Sequence, residues 1–352
     1  MKKQKAHGAL VALLAAWAAG LSGASAAAQI QSAQNALHPA GLGARSLEFW
    51  PQQFRSDRFL LRVITQPLLF DKRLKQFKGL YFQKLGEGMD MHEVDLAMEA
   101  AFARYNRTRN RSRLIRDLRA IEAALRAYKP PPYTEGQFVY AAMGASISQG
   151  GGASPASRGW VYLIQDRLRA FIPGARVRNL AVGGTTTQHA LEVQLPEALQ
   201  CRPDLITYTS GMNDLQYGVP VEKVRENVEF TLRELRARAG AAIVITLMPP
   251  GRRFPAFSLR LPNIEKRRRN VGPERTARFN AVFRQLAARY GAQLVDIGRM
   301  FDGLSSQSEI NRLFSFDGIH PNNAGHARIA EIFWPAIWRA MASQAPQERQ
   351  AR

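Results

Sequence analysis

Phe138-Val139-Tyr140-Ala141-Ala142-Met143-Gly144-Ala145-Ser146 reads as an apolar strand that runs straight into a turn ending on a hydroxyl. Working outward, the pattern repeats. Apolar strands are predicted over 138–143, 176–182, 204–209, 242–248 and 293–297. Helices are predicted between them over 159–171, 187–195, 221–239 and 273–290, with a closing helix over 322–341. Pro220 opens the long helix and Gly240 closes it. Five strands alternating with helices imply an α/β fold whose parallel sheet is covered on both faces.

Polar residues that carry chemistry fall just beyond these strands. Ser146 follows the first, Gly183-Gly184 the second, and Gly211-Met212-Asn213-Asp214 the third. Asp317-Gly318-Ile319-His320-Pro321 lies beyond the fifth. All sit at the carboxyl ends, where open α/β sheets bind ligands. In a sheet ordered 2-1-3-4-5, Ser146 and Asn213 would flank the crevice where the connection reverses.

Each residue type has a reason to be there. A serine hydroxyl becomes nucleophilic when a neighbouring base takes its proton. An imidazole can accept and return a proton at working pH, so His320 is the predicted base, and Asp317 can fix its tautomer from three residues away. Gly144 is expected to permit a tight turn and open approach to Ser146. The amides of Ser146 and Gly184 and the carboxamide of Asn213 form a predicted oxyanion hole. The bland reading of Asn213-Asp214 is a turn or helix cap. Ser148 is read as a loop hydrogen-bonding residue, and His189 and His326 as structural.

The chain bears no Walker loop, dinucleotide fingerprint or zinc spacing, so neither cofactor nor metal is expected. The string around Ser146 is not Gly-x-Ser-x-Gly, which excludes the α/β-hydrolase elbow. Cys201 is the single cysteine, so no intramolecular disulfide forms, and we read it as packing.

With these blocks the chain resembles the SGNH (GDSL-type) hydrolase family over about residues 137 to 341. The resemblance implies a flavodoxin-like three-layer α/β/α sandwich. It also implies a cofactor-free esterase, lipase, thioesterase or carbohydrate O-acetylesterase, with Ser146, His320 and Asp317 as triad. The family usually places aspartate between the first glycine and the serine, where this chain has Ala145.

The remaining residues speak to location. Lys2, Lys3 and Lys5, the apolar run Ala9 to Leu21, and Ala24-Ser25-Ala26 read as a signal peptide over residues 1–26, cleaved near Ala26 or Ala28. The expected protein is periplasmic or secreted. The formal charge is +21, and cleavage removes three lysines and no acid, leaving 21 − 3 = +18. That excess favours an anionic envelope surface as partner, besides a small-molecule, glycan or lipid ester as substrate. Nucleic acid is a poor match, because an exported chain seldom meets it. A non-catalytic protein on the same fold, binding anionic glycan or membrane, is the alternative reading.

Residues 27–135 read as a basic, mainly helical extension, with helices near 91–105 and 111–128. Leu114, Leu118, Ile121 and Leu125 mark the apolar face of the second. Pro130-Pro131-Pro132 ends the extension, and the hydrolase domain spans 136–342 before a disordered tail over 343–352. The basic, proline-marked stretch from Pro249 to Gly272 is a substrate lid or binding rim, or else a solvated excursion, with Phe254, Phe257 and Leu259 available to a lid.

Overall fold

The computed structural model describes residues 69–348, other than 109, 133, 135, 259–261 and 316. Residues 1–26, where a signal peptide is predicted, residues 27–68, Leu259 and the last four residues lie outside the described ones.

The sheet is five-stranded and parallel in the order β2-β1-β3-β4-β5. Its strands are β1 (Val139–Gly144), β2 (Arg176–Asn179), β3 (Leu205–Thr209), β4 (Ala242–Leu247) and β5 (Gln293–Asp296). Every residue of β1 and β4 is buried, as strands covered on both faces must be. A buried hydrogen bond of 2.9 Å joins the Tyr140 hydroxyl to Thr207 Oγ1 across β1 and β3. β2 is shorter than the predicted 176–182. Beyond Asn179 the chain keeps only one-sided bonds to β1, through Leu180 N–H to Ala142 O and Val182 N–H to Gly144 O.

Among the described residues, three helices precede the sheet: α1 (Leu69–Gly86), α2 (His92–Thr108) and α3 (Arg111–Ala127). α3 buries Leu114, Leu118, Ile121 and Leu125 and is capped by the Asn110 side chain, which accepts from Arg113 N–H at 2.9 Å. α1 was not evident in the sequence. It packs on α3 and β2, and its Phe77, Tyr81, Phe82 and Leu85 join the sheet's own core. Pro130–Pro132 therefore separates two patterns of secondary structure, while the core is continuous across it. The Arg176 guanidinium fastens that junction by donating to the carbonyls of Pro131 and Pro132.

Within the sandwich, α4 (Ser146–Gln149) follows β1 directly, and α5 (Trp160–Phe171) follows it. The segment after β2 runs through Thr187–His189, a π-helical turn at Ala190–Gln194, and Leu195–Gln200. Then come α6 (Met212–Tyr217), α7 (Val221–Arg238), α8 (Pro262–Asn270), α9 (Pro273–Tyr290), α10 (Gln307–Asn311) and α11 (Asn323–Glu348). α7 and α9 pack together, with α9 on β4, while α5 and α11 pack together, with α11 on β4 and β5. This is the three-layer arrangement.

Two expectations are revised. The closing helix continues to Glu348, so 343–348 is helical where a disordered tail is predicted. The stretch from Pro249 to Gly272 is folded, with 3₁₀ turns at Gly251–Arg253 and Pro255–Ser258 and then α8. Phe254 and Phe257 are buried, and Phe254 packs edge-on against Phe301 and Phe314. Apolar burial, roughly 25 cal/mol per Å² removed from water, explains why this basic segment is no solvated excursion. None of the described helices is long and apolar enough to cross a membrane.

Candidate active site

The site is assembled from turns that the strands aim at one rim. β1 ends at Gly144, and Ala145 then leaves the sheet in extended conformation as the N-cap of α4, with Ser146 as its first residue. Gly144 does not serve open approach. A Cβ there would collide with Thr209 Oγ1 and lie 2.8 Å from Ser148 Oγ, so glycine is required for close packing. Its N–H donates to Gln194 Oε1 at 2.8 Å, and its carbonyl accepts from Gln194 Nε2 at 2.9 Å, both buried. Ser148 lies in α4 rather than in the predicted loop, and its hydroxyl bonds Thr209 Oγ1.

From the far side, the turn before α11 delivers an acid and a base. His320 Nε2 lies 2.8 Å from Ser146 Oγ, across 174 residues of sequence. His320 Nδ1 bonds Asp317 Oδ2. The other carboxylate oxygen of Asp317 accepts from Ser315 Oγ at 2.8 Å and from the N–H groups of Ile319 and His320 at 2.9 Å. Burial opposes ionisation of Asp317, but the His320 ring and these donors outweigh it and hold its pKa below the usual carboxylate range.

The predicted oxyanion donors converge on the same rim. Gly184 has φ +83° and would meet only the Tyr217 hydroxyl, 4.0 Å away, with an added Cβ. Its N–H has no acceptor among the described residues. Asn213 Nδ2 donates to Thr185 O at 2.8 Å, which orients the carboxamide; an amide carries a second N–H for another acceptor. Asp214 is buried and accepts from Thr187 N–H at 2.9 and 3.2 Å and from Thr187 Oγ1 at 2.7 Å. It therefore caps a different helix from its own. Burial raises its pKa despite those donors.

Several supporting residues gave no clear sequence signal. Gln149 Oε1 accepts from Gly183 N–H at 3.1 Å, tying the glycine turn to the helix that carries Ser146. Asn179 Nδ2 donates to Ser148 O at 2.7 Å. Gly151 lies beneath the pair: a Cβ there would stand 2.8 Å from Ser146 O and 3.1 Å from His320 Cδ2. A buried glutamine in an apolar helix, such as Gln194, is the kind of signal that could have been followed. Cys201 is a free, buried thiol. No cluster of three His, Cys, Asp or Glu among the described residues could hold a metal.

A cavity of about 520 Å³ opens over Ser146 and His320. Its apolar wall includes Met212, Met248, Phe254, Phe257 and Ile297, and α1 adds Phe82.

Ser146, His320 and Asp317 form a hydrogen-bonded chain on the carboxyl rim of the parallel sandwich, the arrangement expected of an ester hydrolase of the SGNH class. The chain belongs to the GDSL-like Lipase/Acylhydrolase family, which matches residues 142–328. It is 27% identical over 197 residues to Esterase TesA of Pseudomonas aeruginosa, covering 55% of this chain and 85% of that protein. The crystal structure of TesA aligns with 57% of this chain and 99% of its own, at 26% identity and a TM-score of 0.46. A psychrotrophic esterase EstA from Pseudoalteromonas sp., inhibited by monoethylphosphonate, aligns with 57% of this chain and 97% of its own, at 23% identity and a TM-score of 0.45.

Proposed function

We propose that the protein is an exported serine hydrolase that cleaves carboxylic esters through an acyl-enzyme. The observation that carries this reading is the 2.8 Å approach of His320 Nε2 to Ser146 Oγ, with Asp317 on the opposite ring nitrogen. Ser146 Oγ attacks the ester carbonyl carbon while its proton passes to His320 Nε2. The carbonyl oxygen becomes an oxyanion between the N–H groups of Ser146, Gly184 and Asn213. Collapse breaks the bond to the leaving alcohol, which departs with the proton held on His320. Water then attacks the acyl-enzyme, gives its proton to His320, and releases the carboxylic acid as Ser146 regains its hydrogen.

The apolar wall suits a short or medium acyl chain. The export reading rests on the N-terminal basic and apolar segments, and the basic excess suits an anionic envelope surface. Ser146→Ala tests the central reading. Turnover of a para-nitrophenyl ester by purified protein should fall by at least about 10³-fold, with the thermal midpoint unchanged. Activity equal to that of the parent would end the assignment.

A further inference from the structure

The cavity wall carries charge of one sign. Among the described residues that line it, Lys78 and Arg267 are cations, and none is an aspartate or glutamate. Asp317 sits behind His320, almost wholly buried. Ala145 lines the cavity where the family usually has an acid, so the chain lacks a carboxylate that would stand beside Ser146.

Arg267 belongs to the basic run Lys266-Arg267-Arg268-Arg269 on α8. Only Arg267 reaches the cavity; its three neighbours are exposed. Arg268 lies 3.4 Å from Glu265, whereas no carboxylate among the described residues pairs with Arg267. The Arg267 guanidinium instead lies over the Tyr217 ring, 5.6 Å from its centroid. The Tyr217 hydroxyl donates to Gly184 O at 3.4 Å. One aromatic side chain thus links the cation to the glycine whose N–H is a predicted oxyanion donor. A solubility role accounts for the three exposed cations but not for one half-buried, stacked and aimed inward.

We propose that this site selects esters bearing an anionic group, a carboxylate or a phosphate, and that Arg267 binds that group. This rests on the serine-hydrolase reading. A cleft lined by one sign of charge concentrates ligands of the other. A guanidinium presents a planar fork that matches carboxylate and phosphate oxygens. Stacking on Tyr217 fixes its orientation and lowers the entropy lost on binding.

The test compares matched esters by kcat/KM with the full-length mature protein. One arm sets the mono-para-nitrophenyl ester of succinate against para-nitrophenyl butyrate, placing the anion in the acyl part. Two arms set para-acetoxybenzoate and para-acetoxyphenyl phosphate against para-acetoxybenzamide, placing it in the leaving group and separating carboxylate from phosphate. The parent should favour the anionic member about tenfold in at least one arm. Arg267→Gln should remove that preference, mainly through KM, and Arg267→Lys should keep part of it. Arg269→Gln, which removes an exposed cation, should retain it. A ratio near one in every arm, a ratio unaltered in Arg267→Gln, or an equal loss in Arg269→Gln overturns the proposal. If Ser146→Ala is inert while the ratio is one, only the anion assignment falls. If Ser146→Ala turns over the panel as the parent does, the serine-hydrolase reading itself falls.

Discussion

The Nε2–H of His326 donates to the carbonyl of Gly151 at 2.9 Å, while Gly151 N–H donates to Ser146 O at 2.7 Å. The other ring nitrogen, Nδ1, accepts from Trp160 N–H at 3.2 Å, so both bonds are satisfied by one neutral tautomer. A fully buried histidine thereby braces the turn under the nucleophile.

Acid stability should register that brace. Burial pushes His326 down to about 4, aided by the nearby His320 and opposed by the Gly151 bond. The folded value lies below the unfolded one of about 6.5, so the unfolded chain takes up the proton first as pH falls. The stabilisation is complete above about pH 6.5 and is lost as pH falls toward about 4, a change of roughly 3 kcal/mol. Urea unfolding of the parent and of His326→Gln across that range checks it. The parent's profile should be the steeper, and parallel profiles would assign the slope to other groups.

Asp317→Asn should preserve the turn but present the wrong tautomer of His320 to Ser146. A fall in kcat of about 10⁴-fold is expected, with KM little changed. Steady-state kinetics on a para-nitrophenyl ester decide it, and a loss under tenfold would mean that Asp317 serves only the turn.

Asn213→Ala should lower kcat about 10²–10³-fold by removing one oxyanion donor. The bond to Thr185 O goes with it, so the thermal midpoint must be read in parallel. Loss of kcat with the fold retained identifies a transition-state contact. A change confined to KM would place Asn213 in ground-state binding instead.

Phe82→Ala probes whether α1 belongs to the catalytic unit. Phe82 is 5% exposed, packs in the common core and lines the cavity. The truncation should cost about 3–5 kcal/mol and leave a single unfolding transition. It should also raise KM for longer acyl esters more than for acetate, as an acyl-chain series would reveal. Separate transitions for the helices and the sandwich would show two independent cores.

Much of this was legible because it is local. The alternation of apolar runs with Pro- and Gly-bounded helices follows from backbone period and capping, and α9 falls at Pro273–Tyr290 as the sequence alone indicates. The Asp317–His320 spacing is likewise short enough for one turn to join the two side chains. α1 stayed hidden because its apolar residues gain meaning only against β2 and α3, far along the chain. Phe254 and Phe257 read equally well as lid or loop until Phe301 and Phe314 supplied partners.

By itself, then, the sequence determined the five strands, the principal helices between them and the polar residues at the strands' carboxyl ends, since dihedral preferences and hydrophobic period act over a few residues. Only the tertiary structure decided that Gly144 is a packing glycine, that Gln149 ties the glycine turn to α4, and that Arg267 rather than its neighbours turns inward. Those outcomes depend on contacts between segments whose separation along the chain carries no local signal.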